Sequence, residues 1–172
     1  MGMTLVLMGL RGAGKSTVGR NIAERTGRPL IDLDSRTACL LGGANVREVW
    51  NRCGEAAFRE AEARALADAL QTTGAIISLG GGTPTAPGAA ELLRRERDSG
   101  RCEVVYLYAS AAALRERLRH SDTTDRPSLT GADPLDEIDA VLAQRDGLYR
   151  ALASRIVVTD GRTPDEVAAE IE

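Results

Sequence analysis

The chain has 172 residues and a formal net charge of −3, enough length for one domain with a substantial core and the wrong sign for a broad nucleic-acid footprint. Aromatic residues make up 3%, which argues against stacking platforms for single strands. No stretch reaches the length of a membrane helix, about 20 apolar residues. The cysteines Cys39, Cys53 and Cys102 have neither metal-ligand spacing nor an even count. Each reads as a small buried or half-buried residue in a reducing compartment.

Strand and helix signals alternate along the whole chain. Residues 3–8 form an apolar run with strand character, 15–25 a helix that stops at Gly27, and 29–33 a short strand ending in acidic residues. Short helices follow over 35–41 and 46–52, separated by the Gly42-Gly43 break, then an alanine- and glutamate-rich helix over 55–70. Residues 75–79 are an apolar strand running into Gly80, Gly81 and Gly82. A helix over 86–97 carries Pro87 in its first turn, where proline is tolerated. Residues 103–108 are the next strand, and Ser110 is suited to cap a helix over 111–119. A polar stretch over 120–133 precedes a helix over 135–153, a strand over 155–158, and a closing helix opened by Thr163-Pro164-Asp165-Glu166. Five apolar strands alternating with helices predict a parallel sheet covered on both faces. Without repeats or linkers, residues 1–172 read as a single domain.

Gly9 to Ser16 read G-L-R-G-A-G-K-S, which fits the phosphate-loop pattern G-x-x-x-x-G-K-[ST] at every fixed position. The glycines let the backbone turn tightly and aim N–H groups into one concavity. Lys15 then reaches the terminal phosphates, and the Ser16 hydroxyl serves Mg²⁺. The loop lies between a strand and a helix, so phosphate sits at a helix N-terminus. These features predict binding of a nucleoside triphosphate. The apolar run leads straight into this loop without a basic leading region, so no signal peptide is expected. Val6 breaks the myristoylation pattern, and a cytoplasmic location follows.

A phosphate loop alone does not separate GTPases, motors and small-molecule kinases. The guanine-reading N-K-x-D tetrapeptide does not occur, which disfavours a GTPase, and small size disfavours a motor. The strand over 29–33 leads into Asp32-Leu33-Asp34. Residues two apart on a strand share a face, so both carboxylates are expected to point the same way into the crevice beyond the strand end. One could then hold the metal and the other take a proton; the alternative is that Asp34 caps the next helix and Asp32 is solvated. Arg59, Arg126 and Arg145 stand where a positive charge needs a reason, although each alone fits a solvated face. Gly80 to Gly82 either let backbone approach a ligand or form a plain turn. His120, the one histidine, reads as solvated.

Taken together, the phosphate loop, the D-x-D at Asp32 and Asp34, G-E-A-A-F-R ending at Arg59, S-L-G-G-G over 78–82, Arg126-Pro127 and R-D-G-L-Y from Arg145 resemble the shikimate kinase family over nearly the whole length. The resemblance implies a three-layer P-loop kinase fold with a five-stranded parallel sheet of order 2-3-1-4-5 flanked by helices. It also implies transfer of the ATP γ-phosphate to the 3-hydroxyl of shikimate, on the route to chorismate and the aromatic amino acids. In this family pattern Gly12, Ala13, Gly14, Lys15, Ser16 and Thr17 cradle the triphosphate. Ser16, and Asp32 through water, serve Mg²⁺. Asp34 is the base and binds substrate hydroxyls, Arg59 and Arg145 grip the carboxylate, and Gly80, Gly81 and Gly82 line the substrate.

Arg126 closes over the phosphates from a lid at about 120–130, and Arg117, Arg162 and Pro164 flank adenine. Residues 33–61 form the substrate-binding helical segment. The implied partners are ATP and shikimate, with no nucleic acid or membrane, and a monomer is expected. Arg11 stands where a proline is common, and Ser128 where many relatives have leucine. A kinase of another small hydroxy acid such as gluconate, and a catalytically silent nucleotide-binding regulator, are the alternatives.

Overall fold

The structure is a computed structural model that describes residues 2–120, 135 and 137–172. Its sheet has five strands in the order β2-β3-β1-β4-β5: β1 (Thr4–Met8), β2 (Leu30–Asp32), β3 (Ile76–Ser78), β4 (Cys102–Tyr108) and β5 (Arg155–Val158). Every pairing is parallel. This is the expected order. All five residues of β1 are buried, the mark of a central strand covered on both faces. Its neighbours β3 and β4 are nearly as enclosed, and their side chains form the main core with Leu33, Leu66, Leu93 and Tyr149.

The helices are α1 (Lys15–Thr26), α2 (Leu33–Leu40), α3 (Val46–Ala69), α4 (Ala89–Asp98), α5 (Ala111–Arg119), α6 (Ile138–Leu152) and α7 (Pro164–Ile171). Gly14 caps α1 in the left-handed region (φ 93°), a conformation that only glycine adopts without strain. The expected helices over 46–52 and 55–70 are two arms of α3, bent at Gly54 (φ 79°). A second, small core of Ala38, Val49 and Phe58 ties α2 to the first arm of α3. Ser110 caps α5 through its side chain, as expected, and Thr163 with Glu166 forms a complete capping box on α7.

Two sequence expectations change. Strand β2 ends at Asp32, and Asp34 lies in the first turn of α2, so the two acids do not share a strand face. Asp32 is the helix cap: its Oδ1 accepts from Ser35 N at 3.0 Å. Cys39 is exposed rather than buried, while Cys53 is half-buried and Cys102 buried; all three are free thiols. Among the described residues, no helix is long and apolar enough to cross a membrane.

Candidate active site

In a parallel sheet every strand delivers its following loop to the same edge. Here β1 leads into the phosphate loop, β2 into Asp32, β3 into the three glycines and β5 into Thr159 and Arg162. Two clefts open on that edge.

The first runs along the phosphate loop. Gly12, Ala13, Gly14, Lys15, Ser16 and Thr17 all line it. Lys15 is buried, and its Nζ donates to the carbonyls of Gly9 and Leu10, both at 2.9 Å. The side chain therefore folds back along the loop with its charge inside the cradle. The Ser16 hydroxyl donates to Asp32 Oδ2 at 3.0 Å and lies 3.3 Å from Ser78 Oγ. Arg117, Arg162 and Pro164 line the same cleft, and Arg117 also reaches the loop, donating to the Gly12 carbonyl at 3.3 Å. Arg117 is held against the β5 loop, donating to Thr159 Oγ1 at 2.9 Å and to the Thr159 carbonyl at 2.6 Å. Arg162 turns partly onto α7, where it meets Glu170 and the Glu166 carbonyl.

The second cleft is bounded by α2, α3, α6 and the glycine turn. Asp34, Arg59, Gly81, Gly82 and Arg145 line it. Arg59 donates to Glu62 Oε2 at 2.7 Å, and its guanidinium lies 5.3 Å from the Trp50 ring centroid, a stacking that arginine favours. Arg145, 9% exposed, donates to the Gly81 carbonyl at 3.0 Å. Its Nε is buried and has no hydrogen-bond partner among the described residues. Two guanidiniums lining one cleft suit a carboxylate ligand.

Gly80 and Gly82 sit in crowded surroundings. A Cβ on Gly80 would collide with Asp34 and lie 2.7 Å from Glu62 Oε1, and one on Gly82 would overlap the Arg59 guanidinium. Gly80 is therefore behind the wall, while Gly81 and Gly82 form it. Glu62 is 1% exposed and accepts from Thr83 Oγ1 at 2.6 Å. Burial raises its pKa above the usual carboxylate value, and the Arg59 charge opposes that shift.

Asp34 lines both clefts, so the phosphate end of one opens onto the paired arginines of the other. The expected roles of Asp34, Arg59, Arg145 and the phosphate loop thus fall on residues that the fold brings together. Arg126 and most of the expected lid lie outside the described residues. His120 is exposed, as expected. Trp50, Phe58, Glu62 and Tyr149 belong to the second cleft or its backing; Phe58 and Tyr149 lie within the quoted G-E-A-A-F-R and R-D-G-L-Y motifs but were given no role, and Trp50 and Glu62 were not singled out. The i, i+3 spacing of Arg59 with Glu62 and the i, i+4 spacing of Arg145 with Tyr149 on helices were the available signals.

A family model described as shikimate kinase matches residues 11–172. The chain belongs to the shikimate kinase family. The shikimate kinase of Halorhodospira halophila is 36% identical over 167 residues, covering 97% of this chain and 90% of that protein. That of Symbiobacterium thermophilum is 37% identical over 169 residues, covering 98% and 94%. Among solved structures, the Acinetobacter baumannii shikimate kinase in complex with shikimate superposes with a TM-score of 0.88 at 29% identity, covering 99% of this chain and 91% of that one. Family membership makes this chain an ATP-dependent phosphotransferase and implies a divalent metal. It does not favour the alternatives of a gluconate-like acceptor or a silent regulator.

Among the described residues, no group of three or more His, Cys, Asp or Glu side chains converges as a metal cage. The Ser16–Asp32 pair nonetheless supplies hard oxygen donors at the phosphate end. That is the donor set for a small divalent ion that takes its remaining ligands from phosphate and water.

Proposed function

We propose that the chain transfers the γ-phosphate of ATP to the 3-hydroxyl of shikimate, giving shikimate 3-phosphate and ADP. The observation that carries this reading is Asp34, which lines both clefts and so borders both the phosphates and a small acid gripped by Arg59 and Arg145.

The two guanidiniums hold the ring carboxylate, each charge-assisted contact contributing on the order of 1.5–3 kcal/mol. The ring lies against Trp50 and Phe58, with its hydroxyls toward Asp34 and the Gly81 backbone. Anchored at the carboxylate, the acceptor presents its 3-hydroxyl in line with the γ-phosphate. Asp34 accepts the hydroxyl proton as the new O–P bond forms, and the bridging O–P bond breaks with its electron pair leaving on ADP. The transition state is loose, so positioning and charge neutralisation outweigh base strength. Lys15 supplies positive charge at the terminal phosphates. Ser16, with Asp32 through water, would hold Mg²⁺, whose part is to neutralise charge on the phosphate oxygens.

Arg117, Arg162 and Pro164 flank the adenine. Residues 33–61 act as the substrate-binding segment, with residues 120–130 as a lid from which Arg126 reaches the phosphates. The same reading makes the chain a monomer in the cytoplasm, a setting that suits its three free thiols.

Coupled ADP-release assays across shikimate, gluconate and nucleoside monophosphates test the assignment. Fastest turnover is expected on shikimate; faster turnover on either of the others refutes it.

A further inference from the structure

Two buried donors on α6 converge on one backbone oxygen. Arg145 Nη1 donates to the Gly81 carbonyl at 3.0 Å, and the hydroxyl of Tyr149 donates to the same atom. The two residues are four apart on a helix and so share a face. A carbonyl oxygen offers two lone pairs, and both are occupied here. In a trans peptide the next N–H points opposite to the carbonyl. Holding the Gly81 oxygen toward α6 therefore also fixes the Gly82 N–H away from it.

A buried tyrosine ordinarily finds some partner, so the bond alone would mean little. Its neighbour Tyr106 supplies the contrast. The two rings meet edge-on, with centroids 5.2 Å apart, and both are fully enclosed. The Tyr106 hydroxyl, however, donates to Asp146 at 3.0 Å, and Asp146 is also engaged by Arg150. Among the described residues, neither Tyr106 nor Asp146 lines a cleft. Tyr149 reaches instead to the turn whose Gly81 and Gly82 form the substrate wall. Burial pushes its hydroxyl pKa up, which keeps it a neutral donor.

We infer that Tyr149 is a positioning residue for the acid substrate. Its hydroxyl clamps the Gly81 carbonyl, so that the glycine turn and the Arg145 guanidinium face the cleft as one preformed unit. Without that hydroxyl the carbonyl keeps Arg145 as its one remaining side-chain donor among the described residues. The turn can then swing toward solvent and take the guanidinium with it. The inference rests on the proposed role of Arg145 at the substrate carboxylate.

Steady-state kinetics on Tyr149→Phe, Arg145→Ala, the double variant and Tyr106→Phe test it, with shikimate and ATP varied separately. Tyr149→Phe is expected to raise the shikimate KM about tenfold, the loss of one hydrogen bond, with the ATP KM unchanged. In the Arg145→Ala background the same change should add little, because the two residues act through one contact. Tyr106→Phe should leave the shikimate KM unchanged. The inference is overturned if Tyr149→Phe leaves the shikimate KM unaltered, or if the two single effects multiply fully in the double variant. Equal loss of ATP and shikimate affinity in Tyr149→Phe also overturns it, since the hydroxyl would then serve the fold. An unchanged shikimate KM in Arg145→Ala refutes the carboxylate assignment itself, and the inference with it.

Discussion

The Ser16 hydroxyl donates to Asp32 at 3.0 Å, joining the first turn of α1 to the end of β2. The second oxygen of Asp32 is occupied by Ser35 N at the start of α2. One carboxylate thus fastens the phosphate loop to the helix that carries Asp34. On the proposed reading, a divalent ion held by Ser16 would meet an acid already fixed in orientation, which would lower the ordering needed when nucleotide binds.

Lys15→Ala and Asp34→Asn should each lower kcat on the order of 10²–10³-fold, the loss typical of removing one preorganised group that stabilises transition-state charge. Circular dichroism should show the fold retained, because both side chains border open clefts. Turnover within a fewfold of wild type in either variant would show that the reaction does not use that group.

Arg145→Ala should raise the shikimate KM by about 10- to 150-fold, the equivalent of one charge-assisted contact. The ATP KM should stay nearly constant, since Arg145 lines only the second cleft. A variant that loses ATP and keeps shikimate would reverse the assignment of the two clefts.

Gly82→Ala should behave as an indirect arginine mutation. Its methyl would enter the space of the Arg59 guanidinium and displace it from Glu62 and Trp50. Shikimate affinity is expected to fall at least tenfold, as for a lost charged contact, with nucleotide affinity preserved. Isothermal titration with each ligand separates these outcomes, and unaltered shikimate binding would show that the wall yields without moving Arg59.

Far from the clefts, Glu96 accepts from Arg101 Nε at 2.5 Å and Nη2 at 2.7 Å. These bonds, foremost among its neighbours' effects, hold its pKa below the ordinary 4.5. The native state therefore releases this proton more readily than the unfolded chain does. The stability gained is present above about pH 4.5 and is lost as pH falls through the lower native value. Glu96→Gln should lower Tm at neutral pH, with the difference closing on acidification below that range. A gap that stays constant from pH 7 to 3 would show that the pair contributes nothing through its charge.

Much of this was legible from residue order alone. All five strands follow from short apolar runs, and the phosphate loop is a local motif whose glycines dictate their own backbone. Asp34 was placed on the strand because the apolar run was read as reaching Leu33, whereas Asp32 caps α2 and stops β2 one residue earlier. Trp50 and Glu62 escaped notice, and Tyr149 was seen as part of a motif without a role, for a different reason. Their parts depend on what faces them across space, such as a guanidinium over an indole or a carbonyl shared by two donors. Neither spacing nor periodicity along the chain encodes such meetings. Cys39 was misjudged because residue type sets an average burial, while its position on α2 points it outward.

The small core of Ala38, Val49 and Phe58 stands apart from the apolar mass around the sheet. Elements with few enclosed neighbours open locally at less expense than the whole molecule. On warming, amide exchange should reach α2 and the first arm of α3 well before it reaches β1. If these elements carry the acceptor, as proposed, that platform loosens while the phosphate loop endures, so heat would first leave the enzyme holding its phosphate donor with nothing to give it to.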